Sequence, residues 1–171
     1  MPALPRSYRY VGPSDIRARV QPGGAGQRIS CLADFERWAA AQPALDMADP
    51  FTFVIDTTGV LRLAPRRSEH VACAGGEPVL SAGEMTFGNE SGRWTATEIT
   101  NHSTGYCPDT SSWPAVAEAL DRAGINHAGD FTQHVVFRRC HGCHELNIVR
   151  EADFVCVFCD TDLPRRWNVD G

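Results

Sequence analysis

Two Cys-x-x-Cys pairs, Cys140/Cys143 and Cys156/Cys159, constrain this 171-residue chain more than any other feature. Two residues between cysteines let both thiolates of a pair face one centre. Two such pairs supply the four soft ligands that tetrahedral Zn²⁺ prefers. The twelve residues between the pairs suit a short hairpin, with Leu146, Ile148 and Val149 on one arm and Phe154 and Val155 on the other. The spacing therefore predicts a zinc ribbon over residues 138–160. Four thiolates fill a tetrahedron and leave no position for water, so the cofactor implied is Zn²⁺ in a structural role. His141 and His144 flank the first pair; either could replace a thiolate, although a solvent-facing or supporting role is the commoner fate of such neighbours.

Seven cysteines, four of them in metal spacing, point to a reducing compartment rather than a disulfide framework, and so to a cytoplasmic protein. The net charge of −5 gives no global attraction to nucleic acid or to an anionic membrane. No apolar run approaches the ~18 residues of a spanning helix, and the opening residues do not read as a signal peptide. All sixteen basic residues are arginine; GC-rich codon usage is the simpler reading, and a chain kept free of acceptor amines near lysine-modifying machinery is the other.

Upstream of the ribbon, the pattern predicts an α+β fold with a mostly antiparallel sheet and two main helices. Residues 1–30 read as a loop-rich segment, with a helical turn at 14–20 and a glycine-rich run at 21–26. Residues 31–137 read as the core domain, and 138–171 as the ribbon with a tail packed on that core. The first helix is expected over 31–41, capped by Ser30, with Leu32, Phe35, Trp38 and Ala39 facing inward, and Pro43 ends it. Residues 51–56 and 60–63 read as strands around the turn Thr57-Thr58-Gly59. Strands are also expected over 79–87 and 94–100, with a turn at 88–92. The second helix begins near Trp113 with Ser112 as cap, turns Val116, Ala119, Leu120 and Ala123 inward, and stops at Gly124. A last strand, 134–138, leads into the first cysteine pair.

Outside the ribbon, chemistry-bearing side chains concentrate in two places. Residues 64–78 hold Arg66, Arg67, His70, Gly75 and Gly76, and the loop 101–108 reads Asn-His-Ser-Thr-Gly-Tyr-Cys-Pro. If the strands pair as drawn, these loops meet at one end of an antiparallel pair. Two readings fit the cluster. In one, His70, Glu84, Ser103 and Tyr106 are catalytic, while Arg66, Arg67, Gly75, Gly76, Asn101 and Thr104 hold a small anionic ligand. In the other, the same residues are a polar network that pins turns. Cys107 is the best placed of the remaining cysteines for a reactive thiol, although burial as a small apolar residue is the commoner fate.

Three stretches carry a family resemblance: His70-Val-Ala-Cys-Ala-Gly-Gly76, Ser81-Ala-Gly-Glu-Met85 and Asn101-His-Ser-Thr-Gly-Tyr-Cys-Pro108. Together they resemble a pattern found in bacterial proteins, some of them toxin- or effector-associated, and in the core of plant IQ-motif proteins. His70, Gly75, Ala82-Gly83-Glu84, Asn101, Ser103, Tyr106 and Pro108 match it. With Ser112-Trp-Pro-Ala-Val116, Phe137-Arg-Arg-Cys140 and the ribbon, the chain over residues 50–167 resembles a narrower bacterial family of unassigned function. The pattern's Gly-His is Thr104-Gly105 here, so the loop histidine is missing. The resemblance adds weight to a site around His70 and the 101–108 loop without naming a reaction.

Three functions remain open on these grounds. The first is an intracellular zinc-ribbon protein binding a protein partner or a small anionic ligand. The second is an enzyme acting on a nucleotide or phosphoryl-type substrate through His70, Ser103 and Tyr106. The third is a nucleic-acid-associated ribbon, which the acidic charge and the absence of a basic, aromatic-interleaved stripe disfavour.

Overall fold

The computed structural model describes residues 3–170. Its elements run α1 (Ser14–Ala18), β1 (Gln27–Ile29), α2 (Leu32–Ala40), β2 (Phe51–Asp56), β3 (Leu61–Ala64), α3 (His70–Cys73), β4 (Val79–Glu90), β5 (Arg93–Ile99), α4 (Trp113–Ala123), β6 (Val136–Arg139) and β7 (Leu146–Val149). The fold is α+β, as the pattern predicts. Five strands form one antiparallel sheet in the order β1-β3-β2-β4-β5, and β6 and β7 form a separate two-stranded ribbon.

Local chemistry fixes both hairpins of the main sheet. In the β2–β3 turn, Asp56 Oδ1 accepts from the N–H and hydroxyl of Thr58 and from the N–H of Val60, and Gly59 supplies the positive φ of 83°. The β4–β5 turn is tighter than expected, because β4 runs through Glu90. Only Ser91 and Gly92 remain in the loop, both at positive φ, which gives a hairpin turn whose twist matches the strands.

Central strand β2 is buried on both faces. Phe51, Phe53 and Ile55 join Leu61, Leu63, Met85 and Phe87 under α2 and α4. Phe35 and Trp38 of α2 pack there against Phe51, Phe87 and Trp94, with ring centroids 4.7–6.0 Å apart. The opposite face, through Val54, Val79 and Ala82, is covered by Tyr8, Val71, Cys73 and Tyr106. Burying one such side chain is worth roughly 1.5–3 kcal/mol, so the two covering layers dominate the fold's stability.

Several expectations need correction. Leu32, placed in the inward stripe of α2, is 39% exposed, while Phe35, Trp38 and Ala39 are buried. Cys31 rather than Ser30 is the α2 N-cap, and Asp34 Oδ2 reaches back to accept from Ser30 N. Ser112 is the N-cap of α4, but its hydroxyl bonds to Ser81 instead of to the helix. The last predicted strand is β6, and it pairs with β7 rather than joining the main sheet. Within the ribbon, β7 does not pair with Phe154 and Val155 as drawn; only a single bridge, Arg150 to Asp153, lies between those arms. Two elements were not anticipated: β1, inside the segment read as loop, and the one-turn helix α3. No helix among the described residues is long and apolar enough to cross a membrane.

Candidate metal centre

β6 delivers Cys140 directly to the first turn, and the chain after β7 delivers Cys156 to the second. The two turns repeat one geometry. Each opening cysteine accepts from a residue four positions on (His144 N to Cys140 O, Asp160 N to Cys156 O, both 3.0 Å). Each donates its own N–H five positions on, Cys140 to Glu145 O at 3.0 Å and Cys156 to Thr161 O at 2.8 Å. Each turn closes on a positive φ, 65° at His144 and 61° at Asp160. In each, an inner N–H faces the first sulfur, Gly142 N to Cys140 Sγ at 3.3 Å and Phe158 N to Cys156 Sγ at 3.4 Å. Non-glycine residues at positive φ are uncommon, so two at matching places mark a geometry held by something shared.

The four sulfurs lie within 4.8 Å of one another. Sγ of Cys140 is 3.5 Å from Cys159, and Sγ of Cys143 is 3.6 Å from Cys156. A disulfide needs about 2.05 Å, whereas a tetrahedron with metal–sulfur bonds of about 2.3 Å has edges of about 3.8 Å. The cluster therefore suits a metal ion rather than disulfides. Cys140 and Cys156 are buried against Leu163, while Cys159 is exposed. The Cys143 and Cys156 thiols hold their protons unequally. Burial pushes Cys156 up, but N–H groups from Phe158, Asn147 and Cys159 outweigh it and hold the thiol down to about 6. Cys143 gains a lowering contact from Glu145 N–H, yet burial and its three sulfur neighbours raise it to about 12. An arrangement that already favours a thiolate at one corner is prepared for a cation.

The second predicted cluster is brought together in part. His70, on α3, donates from Nε2 to Gly83 O at 2.8 Å, and burial pushes its pKa down against the pull of Gly83, Glu84 and Glu69. Gly83 sits against the Thr100–Asn101 backbone, so the stretches 70–76 and 101–108 do converge on 81–85. The convergence is through backbone, however. Among the described residues no hydrogen bond joins His70 to Glu84, Asn101, Ser103 or Tyr106.

Most of these groups are committed elsewhere. Asn101 is fully buried, donating to Pro108 O and Val135 O and accepting from Val135 N. Ser103 Oγ accepts from Tyr106 N, and Tyr106 OH donates to Glu77 O at 2.7 Å. Burial drives the Tyr106 phenol far up, so it stays neutral. Glu84 is half-buried and Thr104 exposed. Arg66 pairs with Asp49 at 2.7 Å, Arg67 is exposed, and the Gly75 and Gly76 N–H groups are spent on Ala72 O and Val71 O. Cys107 is buried and its thiol pushed up to about 12 by that burial, which leaves it unreactive.

A cavity of 560 Å³ lies elsewhere, between residues 3–8 and the start of α4, and neither His70 nor the 101–108 loop lines it. Asn147 and Thr161, which contact cluster sulfurs, were missed by sequence reasoning: a polar residue in a short strand gives no sign of its burial, as at Asn147, and the exposed Thr161 lies outside the Cys-x-x-Cys pairs. Compared with protein-family models, with curated proteins and with solved structures, the chain has no significant match.

Proposed function

We propose that this is a zinc-ribbon protein that binds another protein through the tip of its ribbon, with Zn²⁺ held structurally by Cys140, Cys143, Cys156 and Cys159. One observation carries the reading. Val157 and Phe158, the two residues between the second pair of cysteines, are 75% and 63% exposed on a turn whose shape the metal would fix. Large apolar side chains displayed on a rigid support are what a partner's pocket anchors on. A reducing, intracellular setting goes with the proposal, because free thiolates are the ligands.

The alternatives have less support. For a small anionic ligand, Arg66 is already paired with Asp49, and the Gly75 and Gly76 N–H groups are spent on Ala72 O and Val71 O. For nucleic acid, the ribbon's Arg138 and Arg139 are committed to backbone carbonyls of residues 137, 144, 164, 165 and 169. For a nucleotide- or phosphoryl-directed enzyme, Ser103 and Tyr106 are buried and His70 is tied to Gly83.

Quantitative affinity purification from the native host tests the proposal, with wild type compared against Val157→Ser/Phe158→Ser and against Cys156→Ser. Purified wild type should carry about one zinc per chain, the stoichiometry of one four-cysteine site. The surface double variant should keep that zinc and lose at least one protein that wild type retains. Cys156→Ser should lose both. Identical retained proteins for wild type and double variant would end the partner reading, and a stable wild type without metal would end the zinc reading.

A further inference from the structure

The two turns of the metal centre are alike in backbone, but among the described residues only in the second does a side chain from the ribbon's strands reach a ligand sulfur. Asn147, in the middle of β7, is 3% exposed. Its Nδ2 lies 3.4 Å from Cys156 Sγ and also donates to Glu145 O at 3.2 Å. Its Oδ1 accepts from Val157 N at 3.0 Å. One amide thus touches the first turn at Glu145, a ligand sulfur of the second turn, and the backbone just after that ligand.

We propose that Asn147 is a positioning residue of the metal centre, deepening the zinc reading on which it rests. Four thiolates around a divalent cation leave a net charge of −2 in a half-buried site. Each N–H directed at sulfur spreads that charge and fixes the direction of the sulfur lone pairs. Cys140 receives such a contact from Gly142 N, and Cys156 from Phe158 N. Thr161 Oγ1 stands 3.2 Å from Cys159 Sγ. Asn147 differs in origin: it belongs to β7, whose register with β6 also places Cys140 (Arg139 opposite Leu146). Through it, the strand pair that sets the first two ligands also sets the third. Position and charge are handled by one side chain, and replacing it should alter the metal rather than the core.

Asn147→Asp provides the test. It is isosteric and keeps an acceptor for Val157 N–H, but turns the donor facing sulfur into a second acceptor. In the full chain, zinc affinity by chelator competition should fall about 10- to 100-fold, the usual cost of losing a partner of a metal ligand. The Co²⁺-substituted protein should shift its thiolate-to-metal charge-transfer bands, while tryptophan fluorescence under saturating zinc stays that of wild type. Unchanged affinity and unchanged Co²⁺ bands would overturn the role of Asn147 and leave the zinc reading standing. Wild type that binds no zinc would instead remove the zinc reading itself. Should Asn147→Asp fail to fold, wild type loaded with ¹¹³Cd decides the matter. Scalar coupling between the metal and the Asn147 side-chain amide protons supports the proposal, and its absence overturns it.

Discussion

Gly83 shows how much of the 70–108 region is architecture. A Cβ built there would stand 1.9 Å from Thr100 O and 2.6 Å from Thr100 C. Its own carbonyl receives His70, and its neighbour Glu84 exchanges backbone contacts with Thr100, donating to the Thr100 hydroxyl and accepting from its N–H. Gly83→Ala should therefore cost about 3 kcal/mol, the upper end of overpacking penalties. The urea midpoint should fall accordingly, and a change under about 0.5 kcal/mol, the range of innocuous surface changes, would show that the backbones separate freely. At this scale the sequence is legible for residues whose type dictates their chemistry, such as the four cysteines or Gly59 in its turn. It leaves Asn101 between two readings and is silent on Asn147. An amide reads equally well as a loop hydrogen-bonder, a solvent-facing polar group or a buried tie, and only the surroundings decide which.

Among the elements, the ribbon is tied to the chain that follows it through Arg138 as well as closed by its cysteines. The side chain is buried to 6% exposure, and its guanidinium donates to Pro164 O, Phe137 O and Arg165 O rather than to any carboxylate. Phe154 stacks beside it, with Arg165 over the same ring at 4.3 Å. Arg138→Met keeps much of the volume and strips those donors, so it should destabilise the chain by about 2 kcal/mol, the scale of hydrogen bonds from a charged group. Amide exchange should rise at Arg139, whose N–H is held by Asn168 Oδ1, and stay slow in β2. Fast exchange in β2 would mean that ribbon and sheet unfold as one. The helices α2 and α4 were readable because a 3.6-residue apolar stripe is a local signal. The pairing of β7 was not, since Val136–Arg139 and residues 154–155 both offer apolar partners and register is a tertiary choice. Three-residue β1 buries only Ile29, too little to leave an alternation.

For the molecule as a whole, acid should act through buried imidazoles as well as through the thiolates. Burial lowers the pKa of His70, and it lowers that of His102, which also feels His134. A group whose pKa is depressed on folding is neutral in the native state, while the unfolded chain takes up the proton first. Stability is thus unaffected well above the unfolded value of about 6.5 and declines as pH falls below it, until the folded pKa is passed. Denaturation midpoints from pH 7.5 to 5 should fall, and His70→Gln should flatten the decline. An equal slope in wild type and variant, with metal loss common to both, would exclude His70 as a contributor.

A last consequence follows from the edge-to-face contact of Tyr8 with Trp167, whose ring centroids lie 5.1 Å apart. Trp167 also donates to Cys107 O at 2.7 Å, and Tyr8 bridges to Val79 at the start of β4. A ribosome releases Tyr8 early and Trp167 much later, so the outer layer is complete only once Trp167 has been made. Until then Val54, Val79 and Ala82 lack part of their cover. Most of that face closes earlier, under Val71, Cys73 and Tyr106, and the docking of the ribbon's tail adds the final contact, on Tyr8.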